Sequence, residues 1–173
     1  DERAEVGLLS HNIKIQGADD AETANGYGGH VMVMDDASAT HLRGVEFRNM
    51  GQIGLLGRYP MHWHNVNDGG ANSWMRNCSV HRSFNRGITI HKTNNLTLSD
   101  NVIYDTLGHG FFFEDGKETG NVLTHNLATL IHKGPIDIDF EQAASRSRES
   151  NAPAAFWITN PNNTFINNVA AGV

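Results

Sequence analysis

NCSVHRSFNRGITIHKTNN, residues 77–95, decides the fold. Cys78-Ser79-Val80 follows Asn77, and Ile88-Thr89-Ile90-His91 follows a polar turn. The first half recurs as Val45-Glu46-Phe47 after Gly44, Val102-Ile103-Tyr104 after Asn101, and Val169-Ala170-Ala171 after Asn168. The second half recurs as Met61-His62-Trp63-His64, Phe111-Phe112-Phe113-Glu114 and Phe156-Trp157-Ile158-Thr159. Met61 to Ile88 is 27 residues and Ile88 to Phe111 is 23. Short strands and turns repeating at that period make a solenoid. With strands as the only repeating unit, the expected fold is all-β, a parallel β-helix whose coils stack on one another. Strands in adjacent coils lie about 4.8 Å apart, so residues one coil apart in sequence become surface neighbours.

The 173 residues suit one domain with a continuous core along the axis, spanning 1–173, with an irregular insertion at 132–154. Residues 5–16 read as the first strands, 17–29 as a loop, and 65–72 as a turn-rich excursion within one coil. The segment 132–154 (HKGPIDIDFEQAASRSRESNAP) breaks the period and reads as a loop or short helix on the solenoid side. Asn77, Asn101, Asn126 and Asn168 read as equivalent turns, where stacked amides satisfy the backbone. A strand-rich start and a stop midway through a coil suggest a piece of a longer protein, whose flanking domains would be partners.

A net charge of −6 and a pI near 5.9 argue against nucleic acid as a general partner. No apolar run approaches the roughly 20 residues of a membrane span. Cys78, the single cysteine, excludes an internal disulfide and reads as a small buried hydrophobe.

Strand alternation sends Met61, Trp63, Ile88, Ile90, Phe111, Phe113, Phe156 and Ile158 inward. Outward then go His62, His64, Thr89, His91, Phe112, Glu114, Trp157 and Thr159. In register, His64, His91 and Glu114 form one outward column, with His62 beside the first and Asp115 just after the last. A second column holds Arg48, His81 and Asp105. Arg58, Arg86 and His109 precede the outward strands and would border the same face.

Imidazoles and carboxylates at this spacing suit several chemistries. His64, His91 and Glu114 could hold a divalent metal ion, the candidate cofactor, with an open position. Glu114 with Asp115 or Asp105 could act as acid and base on a glycosidic bond, helped by the histidines. His and Arg could neutralise a uronic acid while another His abstracts a proton, as a polysaccharide lyase requires. The fourth reading is a solvated polar ladder with no chemistry.

The words of the sequence also resemble a known family. RAEVGLLSHNI (3–13), GVEFRNMGQ (44–52), GRYPMHWH (57–64), NCSVHRSFNRGITIHKTNN (77–95), YDTLGHGFFFEDGKETGN (104–121) and FWITNPNNTFINNVAAG (156–172) carry the likeness. They resemble the β-helix region that follows the G8 domain in the cell migration-inducing and transmembrane hyaluronidases and in the fibrocystins. The resemblance implies a right-handed parallel β-helix from a large extracellular or cell-surface protein. Hyaluronidase-like members are associated with hyaluronan binding and depolymerisation, and fibrocystin-like members look like surface receptors or structural proteins. His62, His64, His91, Glu114 and Asp115 fall at motif positions that both branches share.

Together these readings lead to a carbohydrate-active β-helix that binds or depolymerises an acidic polysaccharide such as hyaluronan, by glycosidase or lyase chemistry. His64, His91, Glu114 and Asp115 would be catalytic. Arg58, His62, Arg86, His109, His81 and Asp105 would contact the glycan. The alternative is a non-catalytic structural or adhesive module of a fibrocystin-like surface protein.

Overall fold

A computed structural model describes residues 4–35, 39–134 and 152–173. A first strand, β1 (Ile13–Gln16), precedes a four-residue helix, Ala21–Ala24, that Asp20 caps by accepting from the Thr23 amide. Each later coil contributes three strands. They are β2 (Val31–Met34), β3 (His41–Arg43) and β4 (Val45–Arg48), then β5 (Met61–Asn67), β6 (Trp74–Arg76) and β7 (Ser79–Ser83). Next come β8 (Ile88–Thr93), β9 (Thr97–Ser99) and β10 (Val102–Leu107), then β11 (Phe111–Phe113), β12 (Val122–Thr124) and β13 (Leu127–His132). The last described coil has β14 (Phe156–Trp157), β15 (Thr164–Ile166) and β16 (Val169–Ala171).

Like strands pair in parallel from coil to coil, giving three sheets. The first runs β14-β11-β8-β5-β2, the second β15-β12-β9-β6-β3, and the third β1-β4-β7-β10-β13-β16. The chain is a parallel β-helix. In the first sheet Met61 pairs with Ile88, Trp63 with Ile90, and those with Phe111 and Phe113. All six are buried and form the core with Phe47, Val80, Leu98, Ile103 and Leu123. Phe156 is partly buried and stacks parallel on Phe111 at 4.8 Å. Ile158, expected inside, is 39% exposed because β14 ends at Trp157.

The corners explain the Asn-rich turns. Gly44, Asn77, Asp100, His125 and Asn167 hold the left-handed conformation, with φ between 49° and 63°. Gly and Asn adopt that conformation at least cost. The following residue begins the amide ladder. Asn101 Oδ1 accepts from the Cys78 amide, Asn126 Oδ1 from Asn101, and Asn168 Oδ1 from Asn126. Asn77 therefore turns an exposed corner one residue before the ladder, and buried Cys78 takes the ladder position in its coil. A second ladder runs from the Leu96 amide through Asn121 to Asn163.

Of residues 5–16, only Ile13–Gln16 are strand. The stretch before them lies across the outward side of the third sheet. Leu9 carbonyl accepts from Ser79 Oγ at 2.5 Å, and a Cβ on Gly7 would come within 2.8 Å of Val102. The excursion at 65–72 contains a 3-10 turn, Asp68–Asn72. Most of the expected insertion at 132–154, residues 135–151, lies outside the described residues.

Candidate functional site

The H-x-H of β5 places His62 and His64 on the outward side of the first sheet, two residues apart. His64 is in register with His91 of β8, and His62 with Thr89. Glu114 directly follows β11, its amide bonded to the Ile90 carbonyl, and so continues the His64–His91 column.

This face is not a solvated ladder. The segment 51–60, between β4 and β5, folds over its near end and buries Tyr59 there. His62 packs against Tyr59 with ring centres 4.9 Å apart, and its Nδ1 donates to the Gly57 carbonyl at 3.2 Å. Burial pushes the His62 pKa down to about 3; the charges of His64, His91 and Arg86 act in the same direction, against the Gly57 bond. Burial also raises the Tyr59 hydroxyl to about 12, with the Glu114 charge adding to the effect.

Towards the open end the rings are hydrogen-bonded in series. His64 Nε2 lies 2.9 Å from Asn65 Nδ2, and His64 Nδ1 lies 2.9 Å from His91 Nδ1. His91 Nε2 lies 3.1 Å from Asp115 Oδ2, which Lys92 Nζ approaches to 3.6 Å. With neutral rings the bonding has one consistent sense. Asn65 donates to His64, His64 to His91 and His91 to Asp115. Glu114 Oε2 lies 3.6 Å from His91 Nδ1 and 3.7 Å from His62 Nε2. One nitrogen from each of His62, His64 and His91 lies within 4.8 Å of the other two. The nitrogens that could share one ion thus come from His62, His64 and His91, with Glu114 alongside, whereas His62 had been expected to meet the glycan.

The other expected contacts separate. Arg86 is buried, with its guanidinium 4.2 Å above the Phe112 ring and its Nη1 donating to the Tyr59 hydroxyl at 2.7 Å. His109 is also buried, stacked parallel on Phe112 at 5.0 Å, with Nδ1 accepting from the Ala154 amide at 3.1 Å. Burial, then the Arg86 charge, lowers its pKa to about 3. Arg58 is exposed, but it reaches back to His30 at 2.8 Å.

His81 and Asp105 lie on the third sheet, away from this face. His81 stacks beside Arg48, as the second column requires, and pairs with buried Glu46 at 3.1 Å. Asp105 does not join them, because Tyr104 and Thr106 take the positions opposite His81 and Ser83. Asp105 has a left-handed backbone, at φ 57°, and pairs with His132 at 3.2 Å.

Sequence reasoning missed Tyr59, Asn65, Lys92 and Glu118. Glu118 is fully buried, and its Oε1 accepts from the amides of Lys92 and Asp115, which fixes the backbone at both. The only sequence signal was the Asp-Gly-x-Glu turn at 115–118.

A family model described as CEMIP beta-helix matches residues 26–173. Fibrocystin-L of Mus musculus is 36% identical over 206 residues, taking in 98% of this chain and 5% of that protein. Cell surface hyaluronidase CEMIP2 of Homo sapiens is 39% identical over 203 residues, covering 99% of this chain and 15% of the relative. The human cell migration-inducing and hyaluronan-binding protein is 37% identical over 205 residues, with the same 99% and 15% coverage. The chain spans 5% to 15% of the length of these relatives. That match takes in most of the sequence, and this chain belongs to the CEMIP β-helix family.

Proposed function

We propose that the outward face of the first sheet handles an acidic polysaccharide in a protein of the cell surface or extracellular space. It binds the chain across the coils and cleaves glycosidic bonds. The observation that carries this reading is the strip His64–His91–Asp115–Lys92, two linked imidazoles ending in an accessible carboxylate and an exposed ammonium. Relatives named a cell surface hyaluronidase and a hyaluronan-binding protein support the substrate class.

Hydrolysis needs a proton delivered to the leaving oxygen and another removed from the attacking water. Asp115, with 19% of its side chain exposed, is the carboxyl within reach of a bound chain, whereas Glu114 shows only 5%. Asp115 is therefore assigned the proton transfer, His91 holds it in place through Nε2–H, and Glu114 acts on the imidazoles through its charge. Lys92, 41% exposed, meets a uronate carboxylate. A second reading, an adhesive module, is favoured by the burial of Arg86 and His109, which leaves few cations facing solvent here. Fibrocystin-L among the relatives is consistent with it.

Purified protein incubated with end-labelled hyaluronan, and passed over immobilised hyaluronan with a neutral dextran control, separates the two. Shortening that is lost in Asp115→Asn, with retention weakened in Lys92→Gln, is the expected result. Retention without shortening supports the adhesive reading. No retention above dextran sinks both.

A further inference from the structure

We infer that His62, His64 and His91 form a binding site for a first-row transition metal ion of the zinc class. The starting point is that each ring already has one nitrogen committed elsewhere and turns the other to a common centre. His62 gives Nδ1 to the Gly57 carbonyl, and its buried Nε2 has no hydrogen-bond partner among the described residues. His91 gives Nε2 to Asp115, leaving Nδ1 inward. His64 Nδ1 faces that atom at 2.9 Å. A backbone carbonyl or carboxylate on the far nitrogen is the arrangement that fixes tautomer and ring direction in histidine metal sites.

The third far-side partner is also present. Asn65 places its amide on His64 Nε2, and Asn65 Oδ1 is buried with no hydrogen-bond partner among the described residues. Rotating that amide by half a turn, an assignment that coordinates rarely distinguish, lets Oδ1 accept from His64 Nε2–H. His64 Nδ1 then becomes a lone pair, and all three rings can donate outward while ligating inward.

The distances are compatible with this. Metal–nitrogen bonds of about 2.0–2.1 Å allow ligand atoms at most about 4.2 Å apart. In a tetrahedral site those bonds hold ligand nitrogens about 3.4 Å apart, and the nitrogens lie within 4.8 Å, so the widest pair has to close by up to about 1.4 Å. His64 and His91 are only partly buried, and their side chains can make that adjustment. Three neutral imidazoles are a zinc-type donor set that leaves a coordination position for water or substrate. The Glu114 carboxylate stands beside it.

The metal centre shares the face assigned to the glycan, and metal uptake is measurable without any glycan. Protein stripped with chelator and titrated with cobalt(II) should take up one ion per chain, with the visible absorption of a four- or five-coordinate nitrogen site. Zinc should displace it. His64→Gln, at a partly exposed position, should abolish stoichiometric uptake. Asp115→Asn should keep uptake but weaken it about 10- to 100-fold, as loss of such a supporting carboxylate does. His125→Gln, at an exposed histidine far from the site, should change nothing. Circular dichroism establishes that each variant is folded. Absence of stoichiometric cobalt uptake, or uptake that survives in folded His64→Gln, overturns the inference. One bound metal with no glycan retention or cleavage leaves the centre standing and removes the glycan reading. Glycan cleavage by protein that takes up no metal does the reverse.

Discussion

Lowering the pH from 7 to 5 should destabilise this β-helix by about 2 kcal/mol through His109 alone. The ring lies between Phe112 and Trp157, centres 5.0 and 4.6 Å away, and accepts from the Ala154 amide through Nδ1. Protonation would put a cation into a buried site beside Arg86, which is why the native pKa falls to about 3, and it would also remove that acceptor. In the unfolded chain it returns to 6.5. Unfolding below pH 6.5 therefore takes up a proton that the native state refuses, so stability is complete above 6.5 and is lost between 6.5 and 3. Each pH unit in that window is about 1.36 kcal/mol, and pH 5 lies 1.5 units inside it. His62, shifted to about 3 chiefly by its own burial, loses stability in the same direction. His109→Phe isolates the share of His109, because a phenyl ring keeps the stacking and does not titrate. Urea unfolding at pH 7 and pH 5 gives the measurement. The wild type should lose about 2 kcal/mol more than His109→Phe between the two values. Equal losses would refute a buried neutral His109.

Phe113→Ala, at one end of the Trp63–Ile90–Phe113 stack, should cost about 3–5 kcal/mol by urea unfolding; a loss under about 1 kcal/mol would contradict the inward stack. Asn126→Ala removes the acceptor of the Asn101 amide and side chain, together with its own bonds to Leu98 and Asn168. It should cost at least about 2 kcal/mol. Asn77→Gly, at an exposed left-handed corner, should stay within about 0.5 kcal/mol, and thermal melts of the pair read the contrast. Tyr59→Phe takes away the hydroxyl that buried Arg86 reaches and should cost about 1–3 kcal/mol. An unchanged melting temperature would mean that the Arg86–Tyr59 bond contributes nothing.

The stacking of coils was legible because two periods coincide in this sequence. Alternation within each strand chose the inward residues, and the spacing of 27 and 23 residues set the register. His64 over His91 followed at once, since each sits one residue after an inward side chain that also pairs, Trp63 and Ile90. Asp105 failed for a reason that alternation cannot show. Aligning Asn77 with Asn101 puts Asp105 over His81, but the ladder sets Cys78 beside Asn101, so Val102 pairs with Ser79 and Tyr104, not Asp105, falls opposite His81. Asn77 and Cys78 exchanged roles for a related reason, because the corner and the ladder occupy adjacent residues and only the ladder needs a buried position.

Burial of the outward face was not legible, because it depends on a segment without periodicity. Residues 51–60 carry Gly, Leu, Arg and Pro in no repeating order, yet their fold brings Tyr59 and the Gly57 carbonyl onto His62. Arg86 looked like a surface cation next to a turn, and only the Tyr59 and Phe112 rings on either side make it an interior one. This covering has a consequence for where chemistry can occur. The face is closed at the His62 end, while the side chains of Asp115 and Lys92 stay accessible at the other. The covered histidine is held neutral and oriented, while the partly exposed ones meet solvent. A buried ring with a fixed lone pair, next to two rings with access, provides a rigid anchor and an open approach in one strip of sheet.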